Sequence, residues 1–390
     1  MKLSLLSFVS SSNLIRHQIR SGLPQISQVN LLPDADMLLA NVSPWSVDGT
    51  TLNATDIAAS LFGISLFPYL LLLFFLARPI VNTPKMANFG FQFLLAFVFA
   101  TIPAGIYAKV QYQDILANID WLHGTAESLL TITNLLIVYG FRKSRPQPEV
   151  PDDKQLSTQV MRDMSIPIIL ATIVISSSLS SIFPHNEPLN ALSIPTWMVH
   201  VSSLQEWLIA MKLVWEHSMT SNNSRWKGMT WGMLPSHTSG VCACTYHLFY
   251  NSPSISWIVA VQAFLTVFGN STMAYAAYRI FQFENNKRNN ASVEEINSAS
   301  SSDTDANINA DETGLIPLNE TDGELATKIL VTSVLASIVV KYGELFSDIP
   351  FDPVWYAPLS IIAFSTAIHG SLYTLKSFKE TEEKSEVVTL

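Results

Sequence analysis

The sequence predicts an all-α polytopic membrane protein of about nine transmembrane helices, arranged as two parallel three-helix repeats, a connecting helix and a C-terminal helical hairpin. Three observations carry this. Only 14% of the 390 residues are Asp, Glu, Lys or Arg, against about 25% in a soluble domain. The apolar residues are gathered into runs of roughly 20, the length a helix needs to cross about 30 Å of hydrocarbon. The Lys and Arg residues collect in alternate loops, as the positive-inside rule requires.

The first 33 residues hold Lys2, Arg16, His17 and Arg20, many serines and no acid before Asp34. That is the composition of an organelle transit peptide, so residues 1–50 are read as a targeting segment and disordered N-terminus. Leu3 to Val9 could serve as a short signal h-region, and an ordinary disordered N-terminus is the alternative.

Residues 55–145 form the first unit, with spans Ile57 to Ala77, Ala87 to Ala108 and Trp121 to Phe141. Residues 146–190 hold a loop and a connecting helix, Ile166 to Phe183. Its Ser176 to Ser181 cluster is polar, but hydroxyls can bond back to the helix backbone, and no charge falls between Met164 and His185. Residues 191–283 form the second unit, with spans Trp197 to Trp215, Met229 to Phe249 and Ile255 to Tyr278. Residues 284–324, rich in Asn, Ser, Asp and Glu, read as a disordered acidic linker. Leu325 to Phe346 and Val354 to Leu375 make the hairpin within residues 325–378, and 379–390 is a charged tail.

With all nine segments crossing, nearly every Lys and Arg from Arg78 to Lys384 falls on one side, and little beyond Lys109 and Lys341 on the other. The C-terminus is therefore cis, in the cytoplasm or its equivalent, and the mature N-terminus trans. Without the fourth crossing, Arg142 to Arg145 and Arg279 to Arg288 would lie on opposite faces.

An internal repeat supports the same arrangement. Ser65-Leu66 aligns with Ser203-Leu204, Lys85 with Lys227, Tyr107 with Tyr246, Trp121 with Trp257, Asn134 with Asn270 and Arg142 with Arg279, at offsets of about 136 to 142 residues. The intervening helix makes the two units parallel, with their pseudo-symmetry axis along the membrane normal, as in parallel-repeat carriers. Chance recurrence of interfacial Trp, Tyr and Arg is the competing explanation.

The net charge of −9 is concentrated in the linker and tail, and no basic face for nucleic acid is present. Cys242 and Cys244 alone build neither a disulfide framework nor a four-ligand zinc site. No Gly-rich phosphate loop, nucleophile elbow or Walker string appears, so the chain leans away from an enzyme.

The strings Leu192-Ser-Ile-Pro-Thr-Trp-Met-Val-His200, Glu206-Trp207, Trp226-Lys-Gly-Met-Thr-Trp-Gly-Met-Leu-Pro235 and Cys242-Ala-Cys-Thr-Tyr-His247 resemble an uncharacterised family. It is called hypothetical chloroplast reading frame forty-nine and occurs in cyanobacteria and plastids. The likeness runs on through Gly269-Asn270 to Arg279. Ser65-Leu-Phe-Pro-Tyr69, Ala100-Thr-Ile-Pro-Ala-Gly-Ile-Tyr-Ala-Lys109 and Trp121-Leu-His-Gly124 resemble a companion three-helix family of unknown function from the same organisms. The resemblances cover about half the chain. They imply a plastid membrane, thylakoid before inner envelope, and transfer no catalytic residue.

Ionisable groups inside a bilayer are functional candidates because burying them is costly. In the fifth span, Gln205, Lys212 and Glu216 share one helical stripe, with Glu206 adjacent and His200 nearer the trans end. They suit a proton or ion path, or structural pairing with a neighbouring helix. His123 and Glu127, four apart, face the same way and suit a proton relay or the orientation of a metal or tetrapyrrole ligand. A hydrogen-bonded core histidine fits as well. Two histidines seldom make a metal site, so no metal is assigned. His237 and His247 bracket the sixth span, and a lone imidazole there could hold chlorophyll magnesium or haem iron; no other cofactor is evident.

The sequence thus suggests an auxiliary factor for photosynthetic membrane complexes, with the lipid bilayer and subunits of those complexes as partners. A solute or ion carrier working between the repeats is the alternative, and a tetrapyrrole protein the third reading.

Overall fold

The structure, a computed structural model, describes residues 54–145, 190–298, 321–347 and 353–389. The predicted targeting segment, the predicted fourth span and residues 299–320 of the predicted acidic linker lie outside the described residues, whereas residues 284–298, expected to be disordered, continue the helix Trp257–Ser298. Among the described residues there are eight long helices and no strand. They are α1 (Ala54–Leu76), α2 (Lys85–Tyr107), α3 (Asp120–Lys143), α4 (Ile194–Thr220), α5 (Trp226–Leu248), α6 (Trp257–Ser298), α7 (Asp322–Ser347) and α8 (Tyr356–Thr389).

Each of the other eight predicted spans falls on one of these helices. By length and composition α1, α2, α6 and α7 can cross a membrane. The remaining four, of 24, 27, 23 and 34 residues, exceed 30 Å at about 1.5 Å per residue, but carry more polar side chains. Hydropathy alone therefore does not reach the count of nine.

Around an apolar core the surface is apolar too, unlike that of a water-soluble bundle, and the interior also holds polar side chains. Phe67, Phe99, Val339 and Phe364 point outward, whereas His123, Asn134, His200, Glu206, His237 and Asn270 are buried. Lipid solvates the first group, and the second must find partners inside. Prolines 68, 103 and 235 sit within helices, which membrane helices tolerate because neighbours can satisfy the freed carbonyls.

Small residues let the helices approach. A Cβ on Gly140 would lie 2.1 Å from the Ala87 nitrogen, closing α3 on α2. One on Gly90 would meet the Ile137 nitrogen at 2.9 Å, and one on Gly232 the Met273 nitrogen at 3.0 Å. Gly90 and Ile137 map onto Gly232 and Met273 at offsets within the range of the internal repeat. The α2–α3 contact of the first unit thus recurs as the α5–α6 contact of the second.

The units are also interlocked. α1 packs on α6 and α3 on α4, so the first helix of each unit lies against the third helix of the other. Asn134 Nδ2 donates to the Ser203 carbonyl at 3.1 Å, and Asn270 Nδ2 to the Ser65 carbonyl at 3.0 Å. These four residues are two aligned pairs of the repeat, and their bonds are reciprocal, as a two-fold relation requires. The α3–α4 pairs His123–His200, Thr131–Ser203 and Arg145–Glu216 advance together along both chains, so α3 and α4 run parallel.

The hairpin helices attach to the second unit, α7 to α4 and α8 to α5. Thr332 Oγ1 donates to Gln205 Oε1 at 2.8 Å, and the hydroxyls of Thr238 and Thr366 lie 3.0 Å apart. Toward the C-terminal end of α4 Trp215 Nε1 donates to Glu380 Oε1 at 2.7 Å, Lys227 bonds the other oxygen, and Lys227 and Lys376 lie over the Trp215 ring. Burial alone would raise the Glu380 pKa, but the bonds from Lys227 and Trp215, with the charges of Lys227 and Lys376, outweigh it and hold the carboxyl below its ordinary value. A carboxyl depressed in the folded state stabilises docking above its unfolded pKa and loses that contribution as pH falls through the folded value. Acidification below the usual carboxylate range is therefore expected to speed proteolysis of the C-terminal tail, and Glu380→Gln to show the fast rate already at neutral pH. A tail whose cleavage rate ignores both changes would refute the clamp.

Candidate metal centre

The N-terminal ends of α3 and α4 and the C-terminal end of α5 are tied together residue by residue. Asp120, the first residue of α3, accepts from the Ser193 backbone N–H through Oδ1 at 2.8 Å, and its carbonyl accepts from Thr196 Oγ1 at 3.4 Å. Ser193 is in turn the N-cap of α4. Gly124 has no side chain where a Cβ would lie 2.6 Å from Thr196 Oγ1, so the two helices can close. α5 runs antiparallel to α4 and reaches the same level in its last turn. Just beyond it, Asn251 sits at φ 55° and donates to the Ala117 carbonyl at 3.1 Å and to Asn118 Oδ1 at 2.8 Å. That bond pair fixes the end of α5 to the loop before α3.

This register brings together His123 of α3, His200 of α4 and His247 of α5, all buried. His123 Nε2 lies 3.1 Å from His200 Nε2 and 3.1 Å from His247 Nε2. The rings of His200 and His247 stack with centroids 4.8 Å apart, and His123 meets both at an angle. Trp197 presents an edge contact to His200 and His247. One ligand nitrogen from each ring lies within 4.8 Å of the other two.

Hydrogen-bond accounting argues for a cation at the centre. A neutral imidazole has one N–H and one lone pair, so His123 Nε2 offers one proton or one lone pair to two facing Nε2 atoms. One of the two contacts is then unsatisfied or shares a proton. Three lone pairs directed at a metal ion have no such conflict. Tetrahedral ligands at about 2.05 Å from zinc stand about 3.3 Å apart, close to the observed 3.1 Å.

Asp120 and Glu127 stand on α3 three residues before and four after His123. Three imidazoles leave a fourth coordination position for water or an exchangeable ligand, as in catalytic or transfer sites; structural zinc sites are usually closed.

The other predicted candidates lie elsewhere. Glu206 is buried on α4 below the histidines. Lys212 is outside any site: its side chain is 66% exposed and 4.0 Å from Glu216, which bonds Arg145 at 2.8 Å. The predicted stripe is therefore divided, because Gln205 is taken up by α7, Glu216 by the end of α3, and Lys212 faces outward. His237 packs against His369 of α8, ring centroids 4.7 Å apart, and both its nitrogens lack a hydrogen-bond partner. His369 was not among the predicted residues, and only its position inside a span signals it. Cys242 and Cys244 are free thiols.

Fold and site together define a polytopic all-helical membrane protein whose two three-helix units share a cluster of buried histidines. Residues 191–279 match the family described as "Protein of unknown function (DUF2499)", and residues 58–145 match "Protein of unknown function (DUF3593)". A "Ycf49-like protein" from Synechocystis is 47% identical over 94 residues, 24% of this chain and 90% of that relative. An "Uncharacterized protein ycf49" from Cyanophora paradoxa is 34% identical over 88 residues, 23% of this chain and 86% of that relative. The chain belongs to the Ycf49-like family, fused to a companion three-helix domain. No solved structure matches it.

Proposed function

We propose that this chain is a plastid membrane protein, resident in thylakoids, that holds a divalent first-row transition-metal ion between its two units and serves as an auxiliary factor for photosynthetic complexes. The convergence of His123, His200 and His247 from three helices carries the metal reading. Imidazole suits zinc, copper, iron and nickel. The auxiliary role is supported by the company of the family in cyanobacteria and plastids and by the lack of a catalytic string in the sequence. A tetrapyrrole fits less well, since each of the three imidazoles already touches the other two and leaves no face for a macrocycle.

Protein purified from its native membrane is expected to contain about one metal ion per chain by elemental analysis and no chlorophyll or haem bands in its absorption spectrum. Metal-free protein that takes up none of zinc, iron or copper would overturn the reading, and tetrapyrrole bands would replace it with the pigment alternative. For the auxiliary role, deletion of the gene is expected to lower the accumulation of at least one thylakoid complex; normal amounts of all of them would count against it.

A further inference from the structure

Below the three histidines the α3–α4 interface stays polar. Thr131 Oγ1 lies 2.9 Å from Ser203 Oγ and 3.4 Å from Ser202 Oγ, and Asn134 Nδ2 reaches the Ser203 carbonyl. His123, Glu127, Thr131 and Asn134 follow one another at spacings of four, four and three, one stripe of α3. On α4, His200, Ser203 and Glu206 recur every three residues, each turned about 60° from the one before, and Ser203 bonds α3 directly. The stripe descends about 16 Å from His123 to Asn134 at about 1.5 Å per residue.

At its lower end two buried acceptors have no hydrogen-bond partner. Asn134 is 2% exposed and Glu206 1%, and both Asn134 Oδ1 and Glu206 Oε2 stand unpaired. Buried polar atoms are nearly always satisfied, and a carboxylate in a bilayer has no solvent to fall back on. Oxygen acceptors with spare lone pairs suit a cation or its bound water. Beyond them Val138, Phe141, Ala210 and Val214 belong to the apolar core and close the interface toward the cis side.

The repeat-related interface keeps the Asn270–Ser65 bond but lacks the ionisable groups. His123, His200 and Glu206 map onto Val259, Phe62 and Pro68, and His247 onto Ala108. One of two equivalent interfaces carries histidines and a buried carboxyl group where the other has apolar residues, more than a single structural metal would require.

We propose that the three-histidine site is the outer station of a path for a divalent transition-metal cation, and that Asn134 Oδ1 and Glu206 Oε2 form its inner station. The proposal rests on the metal reading above and adds movement to it. The histidines capture the ion at the trans end, the Glu127 level and the Thr131–Ser203 hydroxyls hand it down, and the apolar layer beneath must part for release.

The test uses the full chain in phosphatidylcholine vesicles that enclose a fluorescent zinc chelator, with zinc added outside. Occupancy of the histidine site is read separately from the absorption bands of Co2+ bound to the same protein in detergent. Wild type is expected to admit zinc at least tenfold faster than protein-free vesicles. Glu206→Gln is expected to lose that flux while the Co2+ bands persist. Wild-type protein that shows the Co2+ bands but no flux overturns the path and leaves the metal centre standing, as does flux unchanged in Glu206→Gln. If Glu206→Gln loses the bands as well, Glu206→Asp decides: recovery of flux with the carboxylate supports the inner station, and no recovery overturns it. Absence of Co2+ bands in wild type removes the metal centre itself.

Discussion

Replacing His123 with alanine is expected to weaken zinc binding more than about 100-fold, beyond the 10- to 100-fold typical of losing a group that merely orients a ligand. His123 is the histidine whose Nε2 stands 3.1 Å from both of the others, so its removal leaves two stacked imidazoles and no chelating set. A bound ion stabilises the fold by about 2.7 kcal/mol at 100 times its dissociation constant. Zinc should therefore raise the melting temperature of the wild type and leave that of His123→Ala unmoved. His200→Ala and His247→Ala should behave alike, because each removes one of three equivalent ligands. His237→Ala should retain the full zinc response, since His237 faces His369 and not the cluster. Titration calorimetry and thermal shift in detergent measure both effects. A His123→Ala protein with undiminished affinity, or a His237→Ala protein that loses it, would refute the assignment of ligands.

The contrast between these histidines bears on what the sequence could reveal. The long helices of the described residues are readable in the sequence, because lipid imposes a length on every crossing. The aligned pairs Ser65 with Ser203 and Asn134 with Asn270 proved to be the partners of two reciprocal hydrogen bonds. The histidine cluster was harder to see. Its members are 77 and 47 residues apart in sequence, and each in isolation looks like an ordinary buried imidazole. A signal was present all the same: His123 and His200 stand near the start of their spans and His247 near the end of its own, which puts all three at the trans end once the topology is drawn. What no spacing rule supplied was the interlocking of the units, by which α3 of the first lies beside α4 of the second. For the same reason the stripe through Lys212 misled, since helical periodicity names a face but not the neighbour that covers it.

Interlocking has a consequence for the chain cut in two. A break between residues 146 and 165 separates one piece carrying α1 to α3 from a second carrying α4 to α8. The second piece alone keeps His200 and His247 and lacks His123. It also exposes the α4 side bearing Ser203 and Glu206 and the α6 side bearing Asn270, both of which the first piece covers. Expressed alone, it is expected to bind zinc at least about 100-fold more weakly than the whole chain, for the same loss of one ligand. Co-expressed, the pieces should associate in the membrane, since packing and interhelical hydrogen bonds drive such association without a covalent link. They should purify together in equal amounts and recover the zinc affinity of the intact protein. The two units would then be one functional body by packing rather than by connection. The same logic predicts that a relative the length of a single unit, such as the one from Synechocystis of which 90% is matched, requires a second three-helix chain at its side. A second piece that binds zinc as tightly as the whole chain, or two pieces that never co-purify, would show instead that each unit is complete in itself and that the reciprocal asparagine bonds are incidental.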